Sequence, residues 1–451
     1  MTAPTIEAPA SLPERRVRAR CGGPAVEKLS VGLELVTPLL GGAAVPRTLD
    51  DVDVVRVPSI RGQLRFWWRA LHAQEFASSR ALWEAESALF GRAADEAGGR
   101  SPVELRVKDV AASDTDYDDI RLYPKDGKPA TPGAYALFPA RAEAGGTPVA
   151  PRREPGTRFT LELRAPAPVL ETLRNVVRAW ILFGGYGSRT RRGLGSLGVV
   201  SADRSEWLPR EATREALAAL FGRDLFAPVS RPPTETPRLA GASLYVGAAL
   251  PKAEEAWTTA LGWLRDFRQG TNTGARESGL GKAEPSRPSI SNWPEADKIR
   301  QLTDKTKDHP PRYGKDPAWP RAGFGLPIVG QFQTRARGGG RYEEPGPFEI
   351  AWRQGNEPRN RLASPLIVKA MPLANEKFVP IALWLHRAWP PGGQVVLRMG
   401  ENDVPGSAAP FDKLLGKGDR ALFAPLAGKS SLREAFLDWL AARPNVRKIA
   451  G

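Results

Sequence analysis

Phe183 to Gly198 reads FGGYGSRTRRGLGSLG, with six glycines and three arginines between a run of helical periodicity and an apolar, strand-like run. Glycine lets a backbone approach a bulky partner and adopt positive φ. Arg189, Arg191 and Arg192 supply planar, permanently charged donors whose geometry matches phosphate. Ser188, Thr190 and Ser196 add hydroxyls. The stretch therefore reads as a loop lying against a polyanion. It is not a dinucleotide fingerprint, which needs glycine where Thr190 stands, and which follows a strand and opens a helix rather than the reverse. Nor does the chain hold a P-loop. The nearest candidate, Gly281-Lys282-Ala283, lacks the hydroxyl and has Arg276 in place of the first glycine.

Working outward, Val169, Leu173, Val176, Val177, Trp180 and Ile181 form the stripe of the helix that feeds the loop, and Leu197–Val200 closes as a strand. Further back, Leu29, Val31, Leu33 and Leu35 recur with period two, giving a strand. A loop with Asp50, Asp51 and Asp53 follows; its spacing matches no calcium loop. Val57-Pro58-Ser59 then opens a helix to about Phe76, with Ser59 as its expected N-cap. Ile60, Leu64, Trp67, Trp68 and Leu71 face the core, while Arg61, Arg65 and Arg69 share another face at i, i+4, i+8. Three such like charges repel by a few tenths of a kcal/mol per pair, which an anion relieves. Leu82–Phe90 is a short helix, Val103–Val107 and Phe159–Leu163 are strands, and residues 111–156 read as an insertion. The order is β-α-β-β-α-β, a split βαβ unit.

Residues 204–238 read as a linker with one short helix over 211–221. A second unit spans 239–451, with strands near 244–249, 324–332, 364–370, 378–385 and 394–398 and a helix over 251–267. A Ser431/Glu434 capping box opens the last helix. The segment 269–319 is polar and rich in glycine, proline and basic residues, so an extended, partly mobile loop is expected. The organisation expected is a flexible basic leader over 1–25, a first domain over 26–203, the linker, and a second domain over 239–451. The fold class expected is α+β: two tandem ferredoxin-like (RRM-like, split βαβ) domains with long insertions.

Composition narrows the function. A net charge of +15 raises the case for a nucleic-acid partner. The single cysteine, Cys21, excludes an internal disulfide framework or a cysteine-rich zinc site, and the scattered histidines, His72, His309 and His386, offer no paired metal ligands. No metal and no cofactor are expected. No run approaches a membrane span and the N-terminus lacks an apolar signal core, so the expected place is the cytoplasm, with no membrane partner.

Ser59-Ile-Arg-Gly-Gln-Leu-Arg65 at the first helix, with Gly185-Tyr-Gly-Ser-Arg-Thr-Arg-Arg-Gly-Leu-Gly-Ser196 after the second long helix, resembles the RAMP superfamily of CRISPR proteins. Ile60–Leu71, Glu86-Ser-Ala-Leu-Phe-Gly91, Asn292–Arg300, Ala322–Pro327 and Arg361–Pro365 are similar, within it, to the head subunits of type III-B (Cmr) effector complexes. The resemblance implies a non-catalytic subunit that grips the guide RNA backbone toward its 3′ end and supports binding of single-stranded target RNA. Other RAMP subunits of the complex are its implied neighbours, and antiviral defence its implied role. Carried onto this chain, the guide faces Ser59, Arg61, Gly62 and Arg65, with Arg69 beyond, and Tyr186, Gly187, Ser188, Arg189, Thr190, Arg191, Arg192, Gly193 and Gly195.

The chemistry expected is sequence-independent. Arginines neutralise phosphates and release counterions, so affinity falls with salt, and Tyr186, Trp293 and Trp319 are candidates for stacking on splayed bases. Two other readings stand beside it. One is a metal-independent endoribonuclease that processes repeat RNA, for which His72 is the candidate acid or base. The other is an architectural subunit whose basic surface meets only acidic protein neighbours.

Overall fold

The structure, a computed structural model, describes residues 25–451 apart from 93–98, 125, 143–145, 270–291, 333, 335–339, 356 and 360. The basic leader, but for its last residue, and the 270–291 portion of the expected long loop lie outside the described residues.

Two four-stranded antiparallel sheets are wound alike. In the first half come β1 (Val26–Leu35), α1 (Val57–His72), α2 (Ser79–Phe90), β2 (Glu104–Ala111), β3 (Arg158–Pro166), α3 (Leu170–Phe183) and β4 (Leu197–Val199). They give the sheet order β2-β3-β1-β4. The second half runs β5 (Arg238–Val246), α4 (Ala253–Gln269), α5 (Pro294–Leu302), β6 (Ile328–Gly330), β7 (Phe348–Gln354), β8 (Glu357–Arg359), β9 (Leu366–Pro372), β10 (Phe378–His386), β11 (Gln394–Met399), β12 (Asn402–Asp403), α6 (Leu432–Ala441) and β13 (Arg447–Ala450). Its main sheet has the order β9-β10-β5-β13, the same arrangement of first, second, third and fourth strands. A separate sheet, β8-β7-β11-β12 with β6 on β7, has its own core around Trp319, Ile350, Trp352 and Leu397. Strands expected at 324–332 and 394–398 beside the second unit's others thus belong to a sheet of their own, and β7 and β13 are strands beyond those expected.

The elements stack in layers. The first sheet turns Leu29, Val31, Leu33, Phe159, Leu161 and Leu163 onto α1 and α3. The other side of those helices meets Leu244, Val246, Ile367, Met371, Ile381 and Leu383 of the second sheet. The second sheet's far face, with Tyr245, Val368, Ala370, Ala382 and Trp384, is covered by α4 and α6. Being buried on both faces, β9 and β10 are apolar almost throughout, whereas β1 and β3 alternate. The α1 stripe predicted from spacing, Ile60, Leu64, Trp67, Trp68 and Leu71, is buried. Each such side chain contributes about 1.5–3 kcal/mol of burial.

Several segments that read as peripheral are packed. The connector buries Trp207, Leu217, Phe221 and Phe226 in the core between the units. The insertion places Ile120, Ala134 and Leu137 on the α4 side, and Gly133 lies so close that a Cβ there would stand 1.9 Å from the Trp257 ring. Beyond residue 291, the expected loop is ordered: α5 is buried through most of its length, and Trp293 and Trp319 are interior.

A buried amine is one of the bonds that stitch the two units together. Lys369, in the middle of β9, donates to Ile181 O at 2.8 Å and Gly184 O at 2.7 Å, the last carbonyls of α3. Burial pushes its pKa down to about 7 from the ordinary 10.5. The unfolded chain therefore binds more protons than the folded one between these values, and stability rises with pH across that window. The stability of wild type relative to Lys369→Met should rise from pH 7 to pH 10 by on the order of 4 kcal/mol, read from urea denaturation at each pH. A gap that does not change with pH would show the lysine to be charged in the fold.

Candidate nucleic-acid interface

The start of α1 and the glycine loop meet through Tyr186. The phenol is buried, at 2 % exposure, and accepts from Arg56 N at 2.7 Å, with the Ser59 hydroxyl also hydrogen-bonded to it. Burial raises its pKa. Tyr186 is thus the internal strut between the two motifs, and its expected role as a stacking surface is corrected. Ser59 is likewise not the N-cap. The helix starts two residues earlier, at Val57, with Arg56 in the cap position and no side-chain cap. Ser59 and Gly62 are exposed on the first turns.

The loop itself folds back on the protein. Tyr186 N donates to Gly195 O, Ser188 N to Leu40 O and Gly195 N to Pro38 O. Thr190–Arg192 form a single 3-10 turn closed by Gly193 at φ 79°. Glycine is needed at 193 and 195 for close packing. A Cβ at 195 would stand 1.8 Å from Tyr186 O, and one at 193 would stand 2.4 Å from the Trp257 indole. Trp257 Nε1 donates to Arg192 O at 2.7 Å. Gly193 therefore admits the Trp257 indole of the second unit and Gly195 the loop's own Tyr186 carbonyl, where a ligand is expected from the sequence.

The three loop arginines divide. Arg191 donates to Ser364 O and lies over Phe66, and Arg192 donates to Leu366 O at 3.0 Å. Burial lowers the pKa of Arg191 to about 10 and of Arg192 to about 9, with Arg387 adding repulsion at the first and Arg268 at the second. Both remain charged near neutrality and serve the junction. Arg189 is exposed, held at φ 58° with one long bond to Ala136 O, and burial of its stem and Arg268 lower its pKa. Beside it, Gly187 and Thr190 are half-buried and Ser188 is exposed. Arg189, Arg192 and Arg268 lie within electrostatic range of one another, and among the described residues none has a carboxylate partner. Arg268, at the end of α4, carried no signal in the sequence except its basic neighbours.

The arginine face of α1 is also shared between roles. Arg65 Nε and Arg69 meet the carboxylate of Glu86 on α2 at 2.5 and 2.7 Å, and Glu86 is buried. Among the described residues Arg61 has only Phe90 O, at 3.3 Å. Arg69 thus holds α2 through Glu86, as Arg65 does, with its side chain still partly exposed. Trp293 is fully buried, stacked on Phe423 at 4.5 Å, and Trp319 donates to Ser407 O, so neither presents a face to a base. His72 lies 13 residues along α1 from Ser59, about 20 Å by helical rise, paired with Glu75 at 2.9 Å. It is therefore far from the start of α1. Among the described residues no group of three or more histidine, cysteine or acidic side chains could hold a metal, and no helix is long and apolar enough to cross a membrane.

Residues 32–198 match the model of the RAMP superfamily. The CRISPR system Cmr subunit Cmr1-1 of Pyrococcus furiosus is 31% identical over 150 residues, which cover 33% of this chain and 41% of that protein, so the match spans about two-fifths of the relative's length. The crystal structure of apo Cmr1 from Pyrococcus furiosus is similar with a TM-score of 0.47 and 15% identity, over 95% of this chain and 99% of that one. A chain of the type III-B Cmr-beta complex, bound to cognate target RNA and AMPPnP in the presence of single-stranded DNA, is similar with a TM-score of 0.42 and 12% identity, over 91% and 99%.

The Glu86 node gives a prediction about stability. Glu86→Ala leaves two half-buried guanidinium groups facing each other, and should lower unfolding free energy by about 2–3 kcal/mol. Urea denaturation measures this. The change should be smaller in an Arg65→Met/Arg69→Met background, where the repulsion is gone.

Proposed function

From the match of residues 32–198 to the RAMP superfamily and the chain's resemblance to Cmr1, we propose that this protein is a non-catalytic, RNA-binding subunit of a type III-B effector complex in the cytoplasm. It grips the guide RNA backbone toward the guide's 3′ end and sits beside other RAMP subunits, where single-stranded target RNA pairs with the guide. The two like-wound sheets are read as tandem ferredoxin-like domains over 26–203 and 239–451, joined by 204–238.

The observation that carries this reading is the joining of the α1 start to the loop tip at Tyr186. It makes one exposed surface of two motifs lying about 130 residues apart. Ser59, Gly62, Gly187, Ser188, Arg189 and Thr190 reach that surface, with Arg61 at its margin. The uncapped first turn of α1 presents free backbone N–H groups and the positive end of the helix dipole. Gly62 leaves room beside it: nothing lies within 4 Å of where its Cβ would be. A phosphate seated there meets N–H donors, the Ser59 and Ser188 hydroxyls and the Arg189 guanidinium, none of which reads a base. The grip is therefore indifferent to sequence, as a subunit serving many guides requires.

Direct binding tests this. With single-stranded guide RNA, Arg189→Ala and Gly62→Glu should each weaken binding several-fold, and Arg189→Ala should make the log K against log salt slope shallower by about 0.7. Arg191→Ala and Arg192→Ala should instead lower the melting temperature by several degrees, because each leaves the junction short of a donor. Unchanged affinity in both surface variants would favour the architectural reading. Cleavage of repeat RNA that is lost in His72→Ala would favour the endoribonuclease.

A further inference from the structure

We propose that a cleft beside α1, between the C-terminal end of α2 and edge strand β2, is a second seat for single-stranded RNA. It extends the grip proposed above and rests on that reading. The cleft has a volume of about 660 Å³ and is lined by Arg61, Arg65, Arg92, Arg100 and Arg106, with Ser101 at its floor. Among the described residues its one lining acid, Glu104, is engaged by Arg100 at 3.0 Å and approached by Arg106 at 3.9 Å. Behind the wall, the buried Glu86 is already shared by Arg65 and Arg69. Among the described residues five guanidinium groups thus line the cleft, one of them held by Glu86, with Glu104 as its one acid. Arg61 has no carboxylate partner among the described residues, and its pKa is lowered by burial and by the neighbouring Arg65 charge. Side chains that repel one another around an open, solvent-filled space are stabilised by an anion with several charges.

The rim says which anion. Trp83, on α2, is 44% exposed, and Arg92 lies over its ring at 5.9 Å. An exposed indole flanked by a guanidinium is a stacking platform for an unpaired base, and it stands next to the phosphate-binding cations. A free phosphate or an acidic protein strand uses the arginines but not the platform. Single-stranded RNA uses both. Arg61 belongs at once to the start of α1 and to the cleft, so one strand passes from the loop tip, over the first turn of α1, into the cleft.

The test uses the full chain and a labelled single-stranded RNA of about 24 nucleotides, longer than the site of a typical single-strand-binding fold. Arg92→Ala/Arg106→Ala removes two rim cations without touching the Glu86 node. It should weaken binding about tenfold, make the salt slope shallower by about 1.4, and leave the melting temperature unchanged. Trp83→Ala should weaken binding about tenfold at an unchanged salt slope, and should not weaken binding to a duplex of the same length, whose bases are already stacked. If both variants bind as wild type while Arg189→Ala is impaired, the cleft proposal falls and the grip at α1 stands. If all three bind as wild type, both readings fall. If the rim variant is impaired but Trp83→Ala is not, the cleft is a plain polyanion or acidic-protein site, and the single-strand proposal falls.

Discussion

Everything in this molecule depends on how the end of α3 is tied to β9. The last turn of a helix leaves carbonyls without intrahelical partners. Here a buried lysine from another sheet satisfies two of them, at Ile181 and Gly184, while Arg191 and Arg192 return the exchange by donating to Ser364 and Leu366 at the start of the same strand. The glycine loop lies between these two sets of bonds. Its shape is dictated from both sides, by Pro38 and Leu40 in the first unit and by Trp257 and β9 in the second. Dihedral freedom at Gly193 and Gly195 is what allows a loop so confined to close without clashing.

That junction fixes the layering, and the layering decides where a ligand can go. The second sheet is covered on both faces. The first sheet is open on one, where β1 and β3 present Lys28, Ser30, Glu34, Arg158, Thr160, Glu162 and Arg164. No aromatic stands among them, so the open face lacks the base-stacking residues of an RRM. Its central Glu162 is instead covered by Lys28 and Lys108, whose hydrogen bonds hold its pKa at about 2. On the sheet surface Lys28, Lys108, Arg158 and Arg164 are each paired with Glu34 or Glu162, whereas Arg61, near the start of α1, has no carboxylate partner among the described residues.

The sequence showed most plainly what has a short period. The α1 stripe, the alternation of β1 and β3, the α3 stripe and the Ser431/Glu434 N-terminus all emerge where the spacing puts them; the Ser431 hydroxyl accepts from Glu434 N at 3.1 Å. What it hid were partners distant along the chain. Nothing near Arg65 or Arg69 announces Glu86, because a single carboxylate in a helix of mixed polarity looks like any solvated one. Nothing around Gly193 announces Trp257, because the glycines that admit a phosphate also admit an indole. Trp293 is a stacking candidate by sequence. It is interior because α5 buries even charged side chains: Lys298 is held by the Asp419 carboxylate at 2.5 Å and Arg300 by Glu344 at 2.8 Å.

The same pairing logic separates the arginines that serve the fold from those that serve a ligand. A guanidinium taken out of water must be repaid by a carboxylate or by several carbonyls. Arg69 has the first, Arg192 a carbonyl and the enclosing junction. Among the described residues Arg61 and Arg189 have one long bond each, to Phe90 O and Ala136 O, at 3.3 Å in both cases. Each stands near other cations, Arg65 in one case and Arg268 in the other. A fold that placed them so for its own stability would be worse off than one with neutral residues there. Among the described residues neither has a carboxylate partner, and an RNA backbone of the kind proposed above would supply the missing negative charge.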